Sequence, residues 1–462
     1  MIIKDKDLPN GWEWVSLGDI CKIETGTTPS RAKPEFFGEG LPWVTPGDFD
    51  GSTYISKGRE AITELGIREG RGKVFPSKTV LLVCIGTIGK VAVAARKISA
   101  NQQINSLICG SKIYPEFLYF YLVYNKANLV SIASSSTVPI INQERLGTIE
   151  IPLPPLSEQK RIAAIAQKAD RLRRSRRYAL QLSDTYLRSV FLEMFGDPLT
   201  NPKEWKIQAL GDLLSIPPHI GTITPAQESG NQLCVRVGEV GEWYVDLNSC
   251  KYVSLSGHAL KRFSLLPGDI VLARAIGSES HLGKLSIVGQ SKLPVVFDSH
   301  LMRLRLDKSV ICPEFFVVWM QTPGGRARFM QQARRTAIQF NINGEQIAAI
   351  AIPLPSPPLQ EKFAQIAQKF DRLRTQQREA DRQAEHLFQT ILHRAFRGEL
   401  TSQNADDEPE SVLLQEIRAQ QAKAEAEAKT ATQAMGEAAD YLGTKAKQQD
   451  IEPIQLKFPG FE

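Results

Sequence analysis

The sequence lacks the features that define several protein classes. No run approaches the roughly eighteen consecutive apolar residues that a membrane span requires. The N-terminal stretch MIIKDKDLPNGWEW has no apolar core of the kind found in secretory signals. The six cysteines form no CxxC pair and have no histidine at ligand spacing, which favours reduced, buried thiols over a zinc site or a disulfide framework. We therefore expect a cytoplasmic globular protein that has no membrane segment and binds no metal.

Motifs for common nucleotide and nucleic-acid chemistry are absent as well. No Asn/Asp-Pro-Pro-aromatic string of an adenine methyltransferase occurs. The segment from Gly277 to Lys284 has one residue too many for a phosphate-binding P-loop and continues with Leu285 instead of Ser or Thr. The six histidines form no metal-ligand pair. The sequence predicts a chain without a catalytic site, although residues distant in sequence can in principle combine into one.

The net charge of +6 is unevenly distributed along the chain. Residues 401–462 contain 12 acidic and 6 basic residues, so residues 1–400 carry a charge of +12. A basic body is compatible with neutralisation of phosphates, which is the sequence-independent part of DNA affinity. Charge alone does not separate a DNA-binding protein from other basic proteins.

An internal repeat organises the chain. The string IPLP at 151–154 leads to IAQKADRLR at 165–173, and IPLP at 352–355 leads to IAQKFDRLR at 366–374, with an offset of 201 residues throughout. A fainter Trp-x4-Leu-Gly-Asp repeat begins at Trp12 and Trp205. The chain is therefore predicted to have two arms (1–150 and 201–350), each followed by a helical segment (151–200 and 351–400), and a helical or flexible acidic tail (401–462).

Both repeated segments predict long helices. Proline keeps each IPLP string extended, Ser157 is a suitable N-cap for the first helix, and the helices are expected to end near Gly196 and Gly398. Each would be about 40 residues, or roughly 60 Å, long. Apolar residues recur at intervals of three and four, which is typical of a coiled-coil seam, and two matching seams predict an antiparallel pair that acts as a rigid spacer. The predicted seam contains Ile162, Ile165, Ala169, Leu172, Phe363, Ile366, Phe370 and Leu373.

Polar residues interrupt this seam at equivalent places, Arg176 and Gln377. They either set the register of the pair, as buried polar residues do in some coiled coils, or reach water where the helices splay. The surrounding run of arginines at 171–177 is interpreted as a solvated or partner-contacting helix face in preference to a DNA contact.

The arms have β-like patterns. Short apolar or β-branched runs at 80–85 and 270–275 follow Pro-containing turns, and glycine or proline recurs about every ten residues. We therefore predict an α+β chain, in which two mixed α/β arms alternate with two long helices that pair as an antiparallel coiled coil.

The chain resembles the specificity subunits of type I restriction–modification enzymes. The resemblance extends from residue 8 to about residue 420 and departs in the second arm, where Leu282-Gly-Lys284 lies in a longer loop than Gly86-Thr-Ile-Gly-Lys90 of the first. The segments that carry it are IPLPPLSEQKRIA (151–163), LPWVTPGDFDG (41–51), FPSKTVLLVCIGTIGKVAV (75–93) and FRGELTSQNADDEPESVLLQEIRAQ (396–420).

The resemblance implies that each arm is a target recognition domain that reads one half of a split site in double-stranded DNA. It also implies an assembly with two methyltransferase subunits and with restriction subunits. S-adenosylmethionine, ATP and Mg²⁺ would then bind those partners, and this chain would hold no cofactor. A protein-binding coiled-coil scaffold without sequence-specific DNA recognition is the alternative.

Side chains suited to DNA recognition lie on predicted loops of both arms. Arg can read guanine and Asn or Gln can read adenine, while Lys and Arg contact phosphates. Most such residues on any protein surface are simply solvated, so the set carries more weight than any one member. The candidate DNA-binding residues are Arg31, Lys33, Arg59, Arg68, Arg71, Lys73, Lys90, Asn101, Gln102 and Gln103 in the first arm, and Arg236, Lys261, Arg262, Arg274, Lys284, Arg334, Arg335, Gln339 and Asn341 in the second.

The two arms differ strongly outside the repeated joins. Two different arms predict an asymmetric DNA target, made of two short, unlike motifs that are separated by bases the protein does not recognise. Rigid helices that relate the arms by a near-twofold axis would favour half-sites about one helical turn, or roughly 34 Å, apart.

Overall fold

The computed structural model describes residues 8–133, 138–276, 282–335 and 340–400, together with residues 419, 422, 423, 426, 427, 429, 430 and 433. The chain divides into two compact units. Among the described residues, the first unit contains those up to Arg177 and those from Glu379 to Glu427, and the second contains those from Tyr178 to Arg378 together with residues 429, 430 and 433. Among the described helices, none is both long enough and apolar enough to cross a membrane.

The first unit is built on β-strands with short helices between them. Its strands are β1 Glu13–Ser16, β2 Cys21–Thr25, β3 Phe37–Val44, β4 Tyr54–Ile55, β5 Glu60–Ile62, β6 Val80–Val83, β7 Val91–Ala94, β8 Ser99–Ala100, β9 Ile104–Cys109 and β10 Glu150–Leu153. Its short helices are α1 Leu17–Ile20, α2 Glu64–Arg68, α3 Pro115–Tyr124, α4 Lys126–Ile132 and α5 Gln143–Gly147, with 3₁₀ turns at Pro34–Phe36 and Pro46–Asp48.

The main sheet of the first unit has the strand order β2-β9-β6-β7-β4. Alternate side chains of a strand point to opposite faces of a sheet, and apolar clusters cover both faces of this one. Val80 and Leu82 of β6 join one apolar cluster, whereas Leu81 and Val83 join another. The predicted strand at 80–85 is thus confirmed over residues 80–83, and its last two residues lie beyond the end of β6.

The second unit repeats this plan with other residues. Its strands are β11 Ile207–Ala209, β12 Leu214–Ile220, β13 Gln232–Val235, β14 Lys251–Val253, β15 Ile270–Ala273, β16 Ala275–Ile276, β17 Leu285–Ile287, β18 Val295–Phe297, β19 Leu301–Leu306, β20 Arg334–Arg335, β21 Phe340–Asn341 and β22 Ala351–Pro353. Its short helices are α7 Gly257–Phe263, α8 Pro313–Gln321, α9 Pro323–Gln332 and α10 Gly344–Ala348, with 3₁₀ turns at Leu210–Leu213 and Val237–Glu239.

The sheets of the two units correspond. The order β12-β19-β15-β17 in the second unit matches β2-β9-β6-β7 in the first, and the parallel pair β13-β18 matches β3-β8. The base of each arm is also closed in the same way. Leu17 N donates to Ile149 O at 2.9 Å, and Leu210 N donates to Ile350 O at 2.8 Å. The internal repeat therefore extends over whole arms, although only the joins preserve it clearly in sequence.

The long helices are α6, Leu156–Phe195, and α11, Pro357–Ala395. Their lengths of 40 and 39 residues and their ends just before Gly196 and Gly398 confirm the predicted extents. The predicted N-cap at Ser157 is wrong, because α6 begins at Leu156 and leaves Ser157 inside the first turn. The carbonyl oxygen of Pro155 accepts the backbone N–H groups of residues 158 and 159 instead.

A buried glutamine joins each long helix to its arm. Gln159 is 1% exposed. Its side chain accepts a hydrogen bond from Tyr114 N at 2.8 Å and donates to the carbonyl oxygens of Lys112 and Pro154 at 3.0 and 2.8 Å. This amide therefore ties the start of α6 to the start of α3.

Gln360, 201 residues further on, repeats the arrangement in the second unit. It accepts from Cys312 N at 2.9 Å and donates to the carbonyl oxygens of Val310 and Pro355 at 3.0 and 2.8 Å. Sequence reasoning missed both glutamines, although Gln at an identical offset was a usable signal.

Each unit contains parts of both long helices. In the first unit the early part of α6 shares an apolar core with the late part of α11, including Ile162, Leu172, Phe388 and Ile391. In the second unit the late part of α6 packs against the early part of α11, with Phe191 and Phe363 rings 5.4 Å apart. Of the predicted seam residues, Ile162, Ala169, Leu172, Phe363, Ile366 and Phe370 are buried, and Ile165 and Leu373 are half-buried.

The arginine run of α6 lies in an ion-pair network inside the first unit. Arg173 pairs with Asp170 at 2.6 Å and with Glu385 at 3.2 Å. Arg174 also pairs with Asp170, and Arg177 lies 3.3 Å from Glu385. The expected solvated face is wrong for Arg173, which is 16% exposed and pairs with Glu385 of α11, a residue far away in sequence. Arg177 keeps a 53% exposed side chain and fits the expectation.

Arg176 interrupts the seam and is 7% exposed. Its guanidinium pairs with Glu427, a helical residue of the tail. The interpretation in which a splayed seam delivers Arg176 to water is therefore wrong for this residue. A buried arginine with a carboxylate partner is compatible with a role in setting the register.

We predict that Gln159→Ala lowers the free energy of unfolding by about 3 kcal/mol, because a buried N–H and two carbonyls lose their partner. Gln360→Ala should have a similar effect, and chemical denaturation monitored by circular dichroism measures both. The exposed Gln365 of α11 gives the matched control. Equal stabilities of Gln159→Ala and Gln365→Ala would show that the join contributes nothing.

Candidate nucleic-acid interface

In each unit, several loops converge on one end of the main sheet, which we call the loop end. In the first unit the register pairs Thr25 with Asn105, Val83 with Ile104 and Leu82 with Val91. The loops at 26–29, 84–90 and 101–103 therefore emerge side by side. Backbone hydrogen bonds connect them, such as Cys84 N to Gln103 O at 2.8 Å.

Polar residues predicted from the sequence meet at this loop end. Asn101 is only 7% exposed and donates to Gln103 Oε1 at 2.9 Å, so its amide shapes the loop. Gln102 is exposed, and its Oε1 accepts a hydrogen bond from the Thr28 hydroxyl. Lys90 donates from Nζ to Pro46 O at 2.8 Å. Of the predicted amide cluster, Gln102 is the member that presents its side chain to solvent.

The predicted basic residues of the first unit fall into two groups. Arg31 is tied down: it forms a bidentate pair with Glu60 at 2.7 and 2.8 Å and lies 4.3 Å above the Phe37 ring. The Glu60 carboxylate raises the pKa of Arg31. Lys73 is 3.8 Å from Glu24. These two charges are partly compensated within the protein.

The other group is exposed. Arg59 has an 80% exposed side chain, although it lies 3.7 Å from Asp48, and Arg68 has a 74% exposed side chain next to Glu69. Lys33 is exposed and approaches the Phe36 ring.

Arg71 belongs to the loop end itself. It is exposed and has a left-handed backbone with φ of 56°. Its carbonyl oxygen accepts the Thr27 hydroxyl at 2.9 Å, which places it beside the loop at 26–29. Among the exposed arginines of this unit, Arg71 is thus best placed to contact a ligand at the loop end.

The loop end of the second unit is defined by the pairs Ile220–Met302 and Leu272–Met302. Two predicted residues distant in sequence meet there. Arg274 donates to Asn341 Oδ1 at 3.2 Å and to the Ser299 carbonyl oxygen at 3.1 Å, and burial lowers the pKa of this arginine. Lys284 directly precedes β17 and lines a cavity of about 310 Å³.

Other predicted residues of the second unit have local structural roles. Arg236 pairs with the buried Glu239 at 2.5 Å within a capped 3₁₀ turn, and this carboxylate raises the pKa of Arg236. Lys261 and Arg262 lie in the last turn of α7. For Arg334 and Arg335 only the backbone, strand β20, is described, and Gln339 lies outside the described residues.

Sequence reasoning missed uncharged residues that build the loop ends. Gly26 and Gly221 occupy equivalent positions after β2 and β12. A Cβ atom on Gly26 would lie 2.3 Å from the carbonyl oxygens of residues 100 and 101, and one on Gly221 would lie 2.2 Å from those of residues 297 and 298. The repeated Gly-Thr dipeptide was the signal that could have found them.

His219 was also missed. Its Nε2 accepts a hydrogen bond from Arg262 Nε at 2.8 Å, and its ring stacks on Phe263. Burial lowers the pKa of His219, and the nearby charges of Arg262 and Arg303 lower it further. A neutral imidazole is therefore favoured here, since protonation would remove the acceptor.

Comparison with known proteins gives concordant results. A family model described as type I restriction modification DNA specificity domain matches residues 9–179. The MjaIX specificity subunit of Methanocaldococcus jannaschii is 30% identical over 241 residues, which is 48% of this chain and 55% of that protein, so the chain spans about half of this relative. The EcoKI specificity subunit of Escherichia coli K12 is 23% identical over 450 residues, or 90% of this chain and 96% of that protein.

A solved structure supports the fold. The crystal structure of a type I restriction–modification system S subunit from M. genitalium superposes with a TM-score of 0.53 at 15% sequence identity. The match covers 85% of this chain and 98% of that one. At this identity, the likeness concerns the fold alone.

We predict that His219 titrates below the ordinary histidine pKa and that Arg262→Ala raises its midpoint, because one of two neighbouring cations is removed. Since the pKa is lowered in the folded state, the contribution of neutral His219 to stability is present above the unfolded pKa and is lost as pH falls through the folded one. NMR titration of the imidazole measures the shift. The exposed Lys261→Ala serves as control, and an equal or larger shift in this variant would contradict the assignment.

Proposed function

We propose that the chain is a specificity subunit of the type I restriction enzyme family, which its relatives belong to, and that it reads a split, asymmetric target in double-stranded DNA. The observation that carries this proposal is that two units of the same fold present unlike side chains at equivalent loop ends. The first unit offers Gln102 and Thr28, whereas the second offers Arg274 and Asn341. Amides and guanidiniums are the groups that read adenine and guanine edges.

The proposal assigns different roles to the basic residues. Exposed residues such as Arg71, Arg59 and Lys33 contact phosphates and hold the chain on the duplex. Arg31 and Arg236, whose charges are compensated by Glu60 and Glu239, shape the loops. The arginine run of α6 neutralises carboxylates of its own unit, so we assign it no DNA contact.

We further propose that α6 and α11 form an antiparallel coiled coil that acts as a spacer between half-sites. Support comes from the contacts within each unit. The early part of one helix packs with the late part of the other in the first unit, and the reverse holds in the second. This is the contact pattern of two antiparallel helices. Half-sites about one helical turn apart suit such a spacer.

In the proposed assembly, this chain directs partners and does not itself catalyse a reaction. Two methyltransferase subunits and the restriction subunits would bind S-adenosylmethionine, ATP and Mg²⁺. The relatives are named specificity subunits of restriction enzymes, which supports a directing role. The alternative of a protein-binding scaffold without DNA recognition has no support among them.

We expect the complex of this chain with its methyltransferase subunits to methylate a target of two unlike motifs separated by unspecified bases. Sequencing of methylated adenines in a host that expresses the complex measures the target. One continuous motif, or a palindromic one, would contradict the proposal.

We also predict that Arg71→Ala weakens DNA binding uniformly across sequences and reduces the slope of log affinity against log salt by about 1, because one phosphate contact is lost. Arg31→Ala is the matched control, since Arg31 is paired with Glu60 and should leave the slope unchanged. Fluorescence anisotropy over a salt series measures both. An unchanged slope in Arg71→Ala would remove this residue from the interface.

A further inference from the structure

One apolar side chain of the second unit is far more exposed than any other large apolar side chain of the described residues. Ile223 is 88% exposed, whereas the next, Val130, Ile207 and Leu266, are each 51% exposed. Exposure of an aliphatic side chain to water is unfavourable, and the lost free energy is regained when a partner covers it. Ile223 is therefore a candidate contact.

The backbone on either side of Ile223 is held in place. Thr222 is 3% exposed, and its N–H donates to Phe297 O at 2.8 Å. The Thr222 hydroxyl accepts from Thr224 N at 3.1 Å and donates to the Thr224 hydroxyl at 2.9 Å. With Gly221 packed against the carbonyls after β18, the turn is fixed and projects Ile223 outward.

This turn lies at the loop end of the second unit. It follows β12, whose last residue Ile220 pairs with Met302, and Met302 also pairs with Leu272 near the end of β15. Ile223 thus projects from the same end of the sheet as Arg274. Leu266 precedes the start of β15 and so lies at the opposite end.

The equivalent turn of the first unit has different chemistry. There Gly26-Thr27-Thr28 follows β2, and the exposed Thr28 donates its hydroxyl to Gln102. The position that carries a polar pair in the first unit thus carries an isoleucine in the second.

We propose that Ile223 contacts the 5-methyl group of a thymine in the major groove of the half-site read by the second unit. This inference rests on the proposed function. The thymine methyl is the apolar group that a base pair displays in the major groove. The hydroxyls of Thr222 and Thr224 bond within the turn, so the turn offers the base an aliphatic group. Ile223 would specify thymine at one position of its half-site. The polar pair Thr28 and Gln102, at the equivalent place of the first unit, offers no such apolar contact.

The test is a double-mutant cycle that combines a substitution in the protein with a substitution in the DNA. It uses the full chain in complex with its methyltransferase subunits. Duplexes carry the mapped target with thymine replaced by uracil, which removes only the methyl group, in one half-site or the other. Binding is measured for wild type, Ile223→Ala, the conservative Ile223→Val, and Leu266→Ala, which removes an equally aliphatic but remote side chain. Thermal unfolding checks that each variant is folded.

We expect the effects of uracil and of Ile223→Ala on binding to be coupled in one half-site only. Uracil there should weaken wild-type binding by about fivefold, and Ile223→Ala should weaken it similarly on thymine DNA. The two changes together should lose little more than either alone, with Ile223→Val intermediate. Leu266→Ala should bind like wild type, and its response to uracil should equal that of wild type.

Two results overturn the inference. If the losses from uracil and Ile223→Ala multiply in both half-sites while sequence preference persists, the inference fails and the proposed function stands. If 2-aminopurine in the target becomes unstacked in wild type but not in Ile223→Ala, the residue acts as a wedge and the methyl contact is wrong. If wild type binds scrambled DNA as tightly as the target, the proposed function itself fails.

Discussion

A single buried amide at the root of each arm is the interaction on which the arrangement of each unit depends. Gln159 and Gln360 each bond one backbone N–H and two carbonyl oxygens at the place where an arm passes into a long helix. In a low-dielectric interior such groups are costly to leave unpaired. The helix start and the start of α3 or α8 are therefore fixed to one another, and the loops of each main sheet keep a defined place relative to the helix.

The two arms share this base and their main sheets, and they differ in the side chains exposed at their loop ends. The closing bonds from residue 17 to 149 and from 210 to 350 are equivalent, and the main sheets have matching strand orders. The loop ends, in contrast, carry Thr28 and Gln102 in one unit and Ile223, Arg274 and Asn341 in the other. A shared scaffold with different loop ends is what the proposed recognition of two unlike half-sites requires.

The parts of this structure that are local in sequence were predictable. The spacing of apolar residues and the 201-residue offset gave both long helices and their C-terminal ends. The start of α6 was displaced because the Pro155 carbonyl, and not Ser157, meets the first free N–H groups. Arg173 of α6 was misread because its partner Glu385 is more than two hundred residues away, and no local pattern shows such a partner.

The same limit applies to the candidate site. Arg31 and Arg71 look alike in the sequence, and only the fold places Glu60 against Arg31. Selection by charge also passes over a residue such as Ile223, whose importance follows from its exposure and from the fixed turn beneath it.

The central claim is that two arms of the same fold each recognise one half-site independently. The most direct test replaces the second arm by a copy of the first. We would express a chain in which residues 17–149 also replace residues 210–350 together with the methyltransferase subunits. The complex should methylate a target made of two copies of the first half-site in inverted orientation. Retention of the original asymmetric target by this folded chain would contradict the account.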